Sequence, residues 1–147
     1  MRIIDGGRSF GKTRERLQRA KARCVDVSSY WKHWPCYFPQ HGPGPKHTRP
    51  IVLADWQHRI VTANVEPFIR GLIHSDGTRI IATEQKGRYI RRAPRYGFSN
   101  RSEDILEIFR TACEIAGVHC TRASHKQIAI YSKAAVARLD GFVGPKR

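Results

Sequence analysis

The amino-acid sequence predicts an α+β domain whose elements run α-β-β-α-β-β-α behind a basic N-terminal extension. Three observations carry that expectation. Ile105, Ile108, Phe109, Ala112, Cys113 and Ala116 recur at the three- and four-residue spacing of an amphipathic helix. The segments on either side of it, 78–99 and 118–132, alternate apolar and polar residues around turn signals, as antiparallel hairpins do. Finally, the stretch Pro67–Gly77, PFIRGLIHSDG, is bounded like a helix. Proline suits the first turn, where its missing N–H costs nothing, and glycine suits the left-handed residue just past a helix end. The implied division is an extension over 1–50 and a folded body over 51–147.

Residues 1–23 carry eight Lys and Arg side chains against Asp5 and Glu15, or +6 of the chain's total of +15, so residues 24–147 keep +9. Thr13 to Arg23 reads either as a basic helix laid on a phosphate surface or as a disordered arm. In the following YWKHWPCYFPQHGPGPKHTRP, the residues Tyr30, Trp31, Trp34, Tyr37 and Phe38 are too apolar for a free linker. They either pack on the body or stack on a ligand. The His41 to His47 loop reads as a turn from which Lys46 can touch phosphate. The four cysteines show neither the density nor the spacing of a disulfide framework, and Cys113 belongs to an apolar helical face. Cys24, Cys36, His41 and His47 follow C-x11-C-x4-H-x5-H, which matches no compact zinc finger.

In the body, Asp55 is placed to cap a short helix through Asn64, and the PFIRGLIHSDG helix is expected from about Glu66 to Ser75 or Asp76. Thr78 to Gln85 and Arg88 to Ser99 form the first hairpin around Lys86-Gly87. Asn100 and Glu103 resemble a capping box for the second long helix, which Gly117 ends. Val118 to Ala123 and Gln127 to Ser132 form the second hairpin. Ser132 then caps a final helix, KAAVARLD, stopped by Gly141.

The charge of +15 and a pI near 10.5 point to a polyanionic partner, with nucleic acid ahead of an acidic membrane surface or an acidic protein. No apolar run reaches transmembrane length and the N-terminus lacks a signal-peptide core. The expected location is therefore cytoplasmic, associated with the nucleoid. Gly71 and Ser75 lie four residues apart, a spacing that lets another helix backbone come close. Asp76 ends its helix against the macrodipole, at a cost of about 0.3–1 kcal/mol that a divalent cation would reverse. Two such helices side by side would gather two carboxylates, a seat for Mg²⁺ beside phosphates. Spacing alone reads as readily, and more commonly, as an exposed Asp closing an ordinary core helix.

PFIRGLIHSDG resembles the LAGLIDADG, or dodecapeptide, motif, with Ile69 to Gly77 on its nine signature positions. FSNRSEDILEIFRTACEIAGV is similar to the family's second helix, and the likeness spans roughly residues 55–147. The resemblance implies a saddle whose four-stranded sheet lies in the DNA major groove and whose motif helices form a subunit interface. It implies Mg²⁺-dependent, site-specific hydrolysis of double-stranded DNA. Two motifs are needed and this sequence shows one, so a homodimer on a near-palindromic site is expected.

Carried over by position, Asp76 matches the metal-binding acid and His74 replaces the other acid of the motif's pair. Gly71 and Ser75, with Leu72 between them, match the interface. Asn100 or Arg101 falls where a polar residue orders water, and Lys133 where a transition-state-stabilising lysine occurs. If Ile80 and Ala82 face the helices, then Arg79, Thr83 and Gln85 face DNA; with Tyr96 and Phe98 inward, Arg91 and Arg95 face outward. Lys126 and Gln127 in the second hairpin complete the expected DNA-binding set. The same scaffold serves catalytically silent DNA-binding transcriptional regulators, which is the alternative reading, and an RNA-binding maturase is a third. An intein is not expected, because no protein-splicing block with a terminal His-Asn is present.

Overall fold

The computed structural model describes residues 29–145, and the chain divides between Pro39 and Gln40 into two compact units. The expected basic helix at Thr13 to Arg23 and Cys24 lie outside the described residues. Among its described residues the first unit shows one short helix, α1 (Trp34–Tyr37), with a half-buried Trp34 whose indole N–H donates to Ser29 Oγ at 3.0 Å.

The second unit follows the expected order: α2 (Asp55–Ala63), α3 (Val65–Asp76), β1 (Gly77–Lys86), β2 (Tyr89–Ser99), α4 (Glu103–Ile115), β3 (Thr121–Ser124), β4 (Gln127–Ile130) and α5 (Lys133–Val143). The strands form one antiparallel sheet in the order β1-β2-β4-β3. Three helices cover one face of it. Ile69 and Ile73 from α3, Leu106, Phe109 and Cys113 from α4, and Val136, Leu139 and Val143 from α5 close on Tyr96, Phe98, Ile128 and Ile130. Phe98 and Phe109 stack with ring centroids 4.3 Å apart. Cys113 is thus the core residue its periodicity implies, and Cys36, Cys113 and Cys120 are free thiols.

Ahead of α2, a single arginine organises the Gly/Pro loop. The Arg49 guanidinium donates to the carbonyls of Gln40 (3.1 Å), Gly42 (2.7 Å), Pro43 (3.1 Å) and Gly44 (2.9 Å), closing backbone acceptors that no regular element would satisfy. The Ile51 N–H then donates to Asp104 Oδ2 at 2.7 Å, which anchors the segment on α4.

Several helix boundaries differ from the expected ones for identifiable reasons. Asp55 is the first residue of α2, and Ala54 precedes it as the cap; the Gln57 side chain reaches back to accept the Ala54 N–H at 3.0 Å. Asn100 does not cap α4. Its side chain is drawn elsewhere, and Ser102 caps instead by accepting from the Ile105 N–H. Ser132 caps α5 as expected, accepting from the Ala135 N–H, but the helix runs through Gly141 to Val143. One glycine is tolerated there because Phe142 and Val143 still pack on the core.

Candidate metal-binding acid and nucleic-acid interface

Asp76 is the last residue of α3 and is exposed to solvent. The chain passes from helix to strand with no loop, since Gly77 is at once the helix cap and the first residue of β1. Gly77 was expected to be left-handed; its φ of −94° and ψ of 165° are extended instead, and its N–H donates to the Ile73 carbonyl. Glycine is required here for room. A Cβ would lie 2.7 Å from Ile73 Cα, 2.8 Å from its carbonyl oxygen and 2.9 Å from its Cδ1. The close approach fixes where Asp76 emerges.

Asn100, only 8 % exposed, is the residue that reaches this acid. Its amide Nδ2 donates to Asp76 Oδ2 at 3.3 Å, while its Oδ1 accepts the Ser102 N–H at 3.0 Å. Its own N–H donates to the Lys126 carbonyl at 3.0 Å, tying the group to the β3–β4 turn. The structure therefore brings Asp76 and Asn100 together. Arg101 and Lys133 are exposed, and neither side chain makes a hydrogen bond or ion pair with another described residue. His74 is half-buried, and its Nε2–H donates to the Val143 carbonyl at 3.0 Å, so this position holds the end of α5.

Gly71 and Ser75 are exposed on α3, and a Cβ at Gly71 would meet nothing within 4 Å. Leu72 is half-buried beside them. The Ser75 hydroxyl donates back to the Leu72 carbonyl at 2.9 Å. Among the described residues no three His, Cys, Asp or Glu side chains gather into a cluster able to hold a metal ion. The donor chemistry at Asp76 fits a hard divalent cation in part: it is one carboxylate, and a complete oxygen shell needs more.

The sheet face opposite the helices is the other candidate surface. Its composition follows from the hairpin register. Gly77 pairs with Phe98 and Arg79 with Tyr96, so odd-numbered residues of β1 share the helix-side face with Tyr96 and Phe98. Thr78 and Gln127 lie on the outer face, since a Cβ at Gly97 would come 3.3 Å from Thr78 Oγ1 and 3.2 Å from Gln127 Nε2. The expected facing of β1 is therefore reversed. Arg79, Thr83 and Gln85 belong to the helix-side pleat, and Ile80 and Ala82 to the outer one.

Arg79 is engaged accordingly. Its Nε and Nη2 donate to Asp140 Oδ1 and Oδ2 at 2.8 and 2.9 Å, and the Tyr96 hydroxyl donates to Asp140 Oδ1 at 2.7 Å. The bidentate partner raises the guanidinium above its usual range, and the same bond holds the Asp140 carboxyl below the usual value. Burial, with the hydrogen bond to Asp140, pushes Tyr96 up to about 12. Both charged groups stay well exposed, so the pair contributes about 0–1 kcal/mol and acts chiefly to dock α5 on the sheet. Thr83 and Gln85 stand exposed further along β1, where the Gln85 side chain donates to the Gly87 carbonyl at 3.3 Å.

On β2, Arg91 and Arg95 do fall on the outer face with Gly97. Arg91 is exposed, while Arg95 is half-buried with its guanidinium 5.2 Å from the Tyr131 ring centroid. Lys126 is exposed in the turn beside Gln127. The outer face also presents Thr78 and the 55 % exposed Ile80, the first absent from the expected DNA-binding set and the second expected to face the helices. The signal that would have found them is parity: a bulge-free hairpin with a two-residue turn pairs odd residues of β1 with even residues of β2.

No family model matches the sequence, and no curated protein matches it. Solved structures similar to the chain include the archaeal intron-encoded homing endonuclease I-Vdi141I complexed with DNA, at 15% identity and a TM-score of 0.44, over 55% of this chain and 54% of that one. Another is the LAGLIDADG homing endonuclease I-GzeII in complex with its DNA target, at 16% identity and a TM-score of 0.40, over 52% of this chain and 27% of that one. The chain thus spans little more than half the length of the first and much less of the second. Among the described residues no helix is long and apolar enough to cross a membrane.

Proposed function

We propose that this chain is a site-specific double-stranded DNA endonuclease that hydrolyses phosphodiesters with Mg²⁺ as a homodimer. The observation that carries the reading is the exposed α3 tip, where Asp76 emerges from a tight helix-to-strand junction, is held by Asn100, and stands beside the open Gly71 and Ser75 strip. A second copy laid on that strip brings a second Asp76 to the first, completing a site that one carboxylate cannot. Bound there, a divalent cation would lower the pKa of attacking water and stabilise the leaving oxygen. The chain's own residues hold and orient: Asp76 supplies the ligand oxygen and Asn100 keeps that carboxylate in place. Lys133 and Arg101 remain exposed cations for phosphate. Arg91, Arg95, Lys126 and Gln127 on or beside the outer sheet face grip the duplex, the arginines suiting guanine edges or phosphates and Gln127 suiting adenine. The extension over 1–50 adds phosphate contacts through its cationic first segment.

One observation favours the second reading, a catalytically silent DNA-binding regulator. His74 occupies the position of the motif's other acid and spends its hydrogen bond on α5. The two readings separate in a selection of duplexes from a randomised pool in Ca²⁺, followed by Mg²⁺, with Asp76→Asn as control. A near-palindrome that the wild type cuts and Asp76→Asn only binds supports the endonuclease. Enrichment with no cutting supports the regulator, and no enrichment of duplex refutes both.

A further inference from the structure

The aromatic segment of the first unit takes no part in that reading. Residues 29–38 hold five of the chain's fourteen Phe, Trp and Tyr residues, together with Lys32 and His33, and no Ala, Val, Leu, Ile or Met. The rings organise each other. Trp31 lies 5.1 Å from the His33 ring centroid, 5.6 Å from Trp34 and 5.3 Å from Tyr37. Trp34 in turn reaches Phe38 at 5.5 Å. Such edge and tilted contacts set ring orientation more sharply than aliphatic packing does.

The cluster is nevertheless open. Tyr30 is 70%, Trp31 48% and Tyr37 51% exposed, and Lys32 and His33 stand exposed among them. Apolar surface left in water costs about 25 cal/mol per Å², so a preorganised set of wet rings calls for a ligand. The absence of Leu, Ile and Val argues against an amphipathic helix as the occupant, since such a face packs on aliphatic side chains. Charge complementarity argues for a polyanion, since the chain carries +15 and the cluster adds an exposed lysine. Rings beside cations fit one feature that a polyanionic duplex conceals: the π-face of an unpaired base next to its phosphate.

We propose that the ring cluster centred on Trp31 is a stacking platform for the unpaired nucleobases of a nucleic-acid strand. The ligand is a base face with its flanking phosphate, drawn either from a separated DNA strand or from RNA. The platform is independent of the outer sheet face and does not rest on the endonuclease reading.

The test uses the full chain and fluorescently labelled thymidylate and uridylate dodecamers of one length, with a duplex of that length as control. Anisotropy gives affinity and tryptophan emission reports stacking. Trp31→Ala should weaken single-strand binding by roughly tenfold or more, given what one base–aromatic stack contributes. Tyr37→Leu, which keeps apolar volume but removes the ring, should also weaken it. Trp31→Phe should retain most of the affinity and lose most of the emission quenching. The salt slope should be the same in Trp31→Ala as in wild type, because no charge is removed. Equal affinity for both strands assigns the site to base faces in either polymer, whereas a preference for one assigns it to that source; both support the platform. Unchanged single-strand affinity in Trp31→Ala and Tyr37→Leu would overturn it, as would an equal loss on the duplex. Loss of a dimer in sedimentation without loss of strand binding would instead make the cluster a contact between copies.

Discussion

Gly77→Ala separates two accounts of the α3–β1 junction. If glycine were there for backbone freedom, its extended φ of −94° and ψ of 165° would admit alanine without strain. The substitution would then stabilise the protein by about 0.4–1 kcal/mol through the unfolded chain. Sterics point the other way. The new Cβ would sit 2.7 Å from Ile73 Cα and 2.8 Å from its carbonyl oxygen, whereas non-bonded carbons are comfortable at about 3.5–4.0 Å. Cδ1 of Ile73, at 2.9 Å, can rotate away, but the Cα and oxygen belong to the last turn of α3. Ile73 is itself only 3% exposed, so the backbone cannot retreat freely. Overpacking costs about 1–3 kcal/mol, and a backbone clash belongs in the upper half of that range. At about 4 °C per kcal/mol for a chain of this size, Tm should fall by about 8–12 °C. Urea melts of Gly77→Ala should show a lower midpoint at unchanged slope. A loss under about 0.5 kcal/mol, or a gain, would refute the steric account.

Gly71→Ala, on the same helix but in open space, should stabilise a single copy by up to about 1 kcal/mol through helix propensity. Gly71→Leu should give a monomer in sedimentation, and a persisting dimer would place the interface elsewhere. Asn100→Ala strands the Ser102 N–H and should cost about 1–3 kcal/mol in urea melts, with Asn100→Asp recovering part of the loss because it keeps the acceptor. A neutral Asn100→Ala would mean the bond carries no weight. Folded Tyr96 titrates near 12 against 10.0 for a free tyrosine, so its contribution is complete below pH 10 and is lost as pH rises through 12. Tyr96→Phe should flatten that limb of a stability–pH curve. Asp140 is depressed below 3.8 by Arg79, so its share is present above that pH and disappears as pH falls further. Asp140→Asn should flatten the acid limb.

The sequence by itself determined the elements and their order, because these depend on neighbours within a few residues. The stripe from Ile105 to Ala116 makes a helix wherever it sits, and Gly117 ends it at a φ of 68°, as its position implied. Even the facing of β1 was legible. With Tyr96 and Phe98 inward, hairpin parity puts Arg79 inward too, yet the chemical habit of burying Ile80 and exposing Arg79 points the other way. What parity could not supply was the reason an inward arginine is tolerated. That is Asp140, 61 residues downstream, whose carboxylate matches the guanidinium fork only once α5 has docked.

The site divides along the same line. Asp76 at a helix tip and the small residues behind it were visible in eleven consecutive residues, PFIRGLIHSDG. The role of Asn100 was not. Asn100 and Ser102 are both good helix caps, and local propensity gives no means of choosing between them. Only tertiary structure, by setting Asp76 3.3 Å from the Asn100 amide, draws that side chain away from capping and leaves the cap to Ser102. Gly77 likewise reads as a turn residue in sequence and proves to be a packing residue, because the atoms that exclude a Cβ all belong to Ile73, one turn back at the end of α3. Periodicity is a property of the chain, whereas the partner of a buried polar group exists only after distant segments have met.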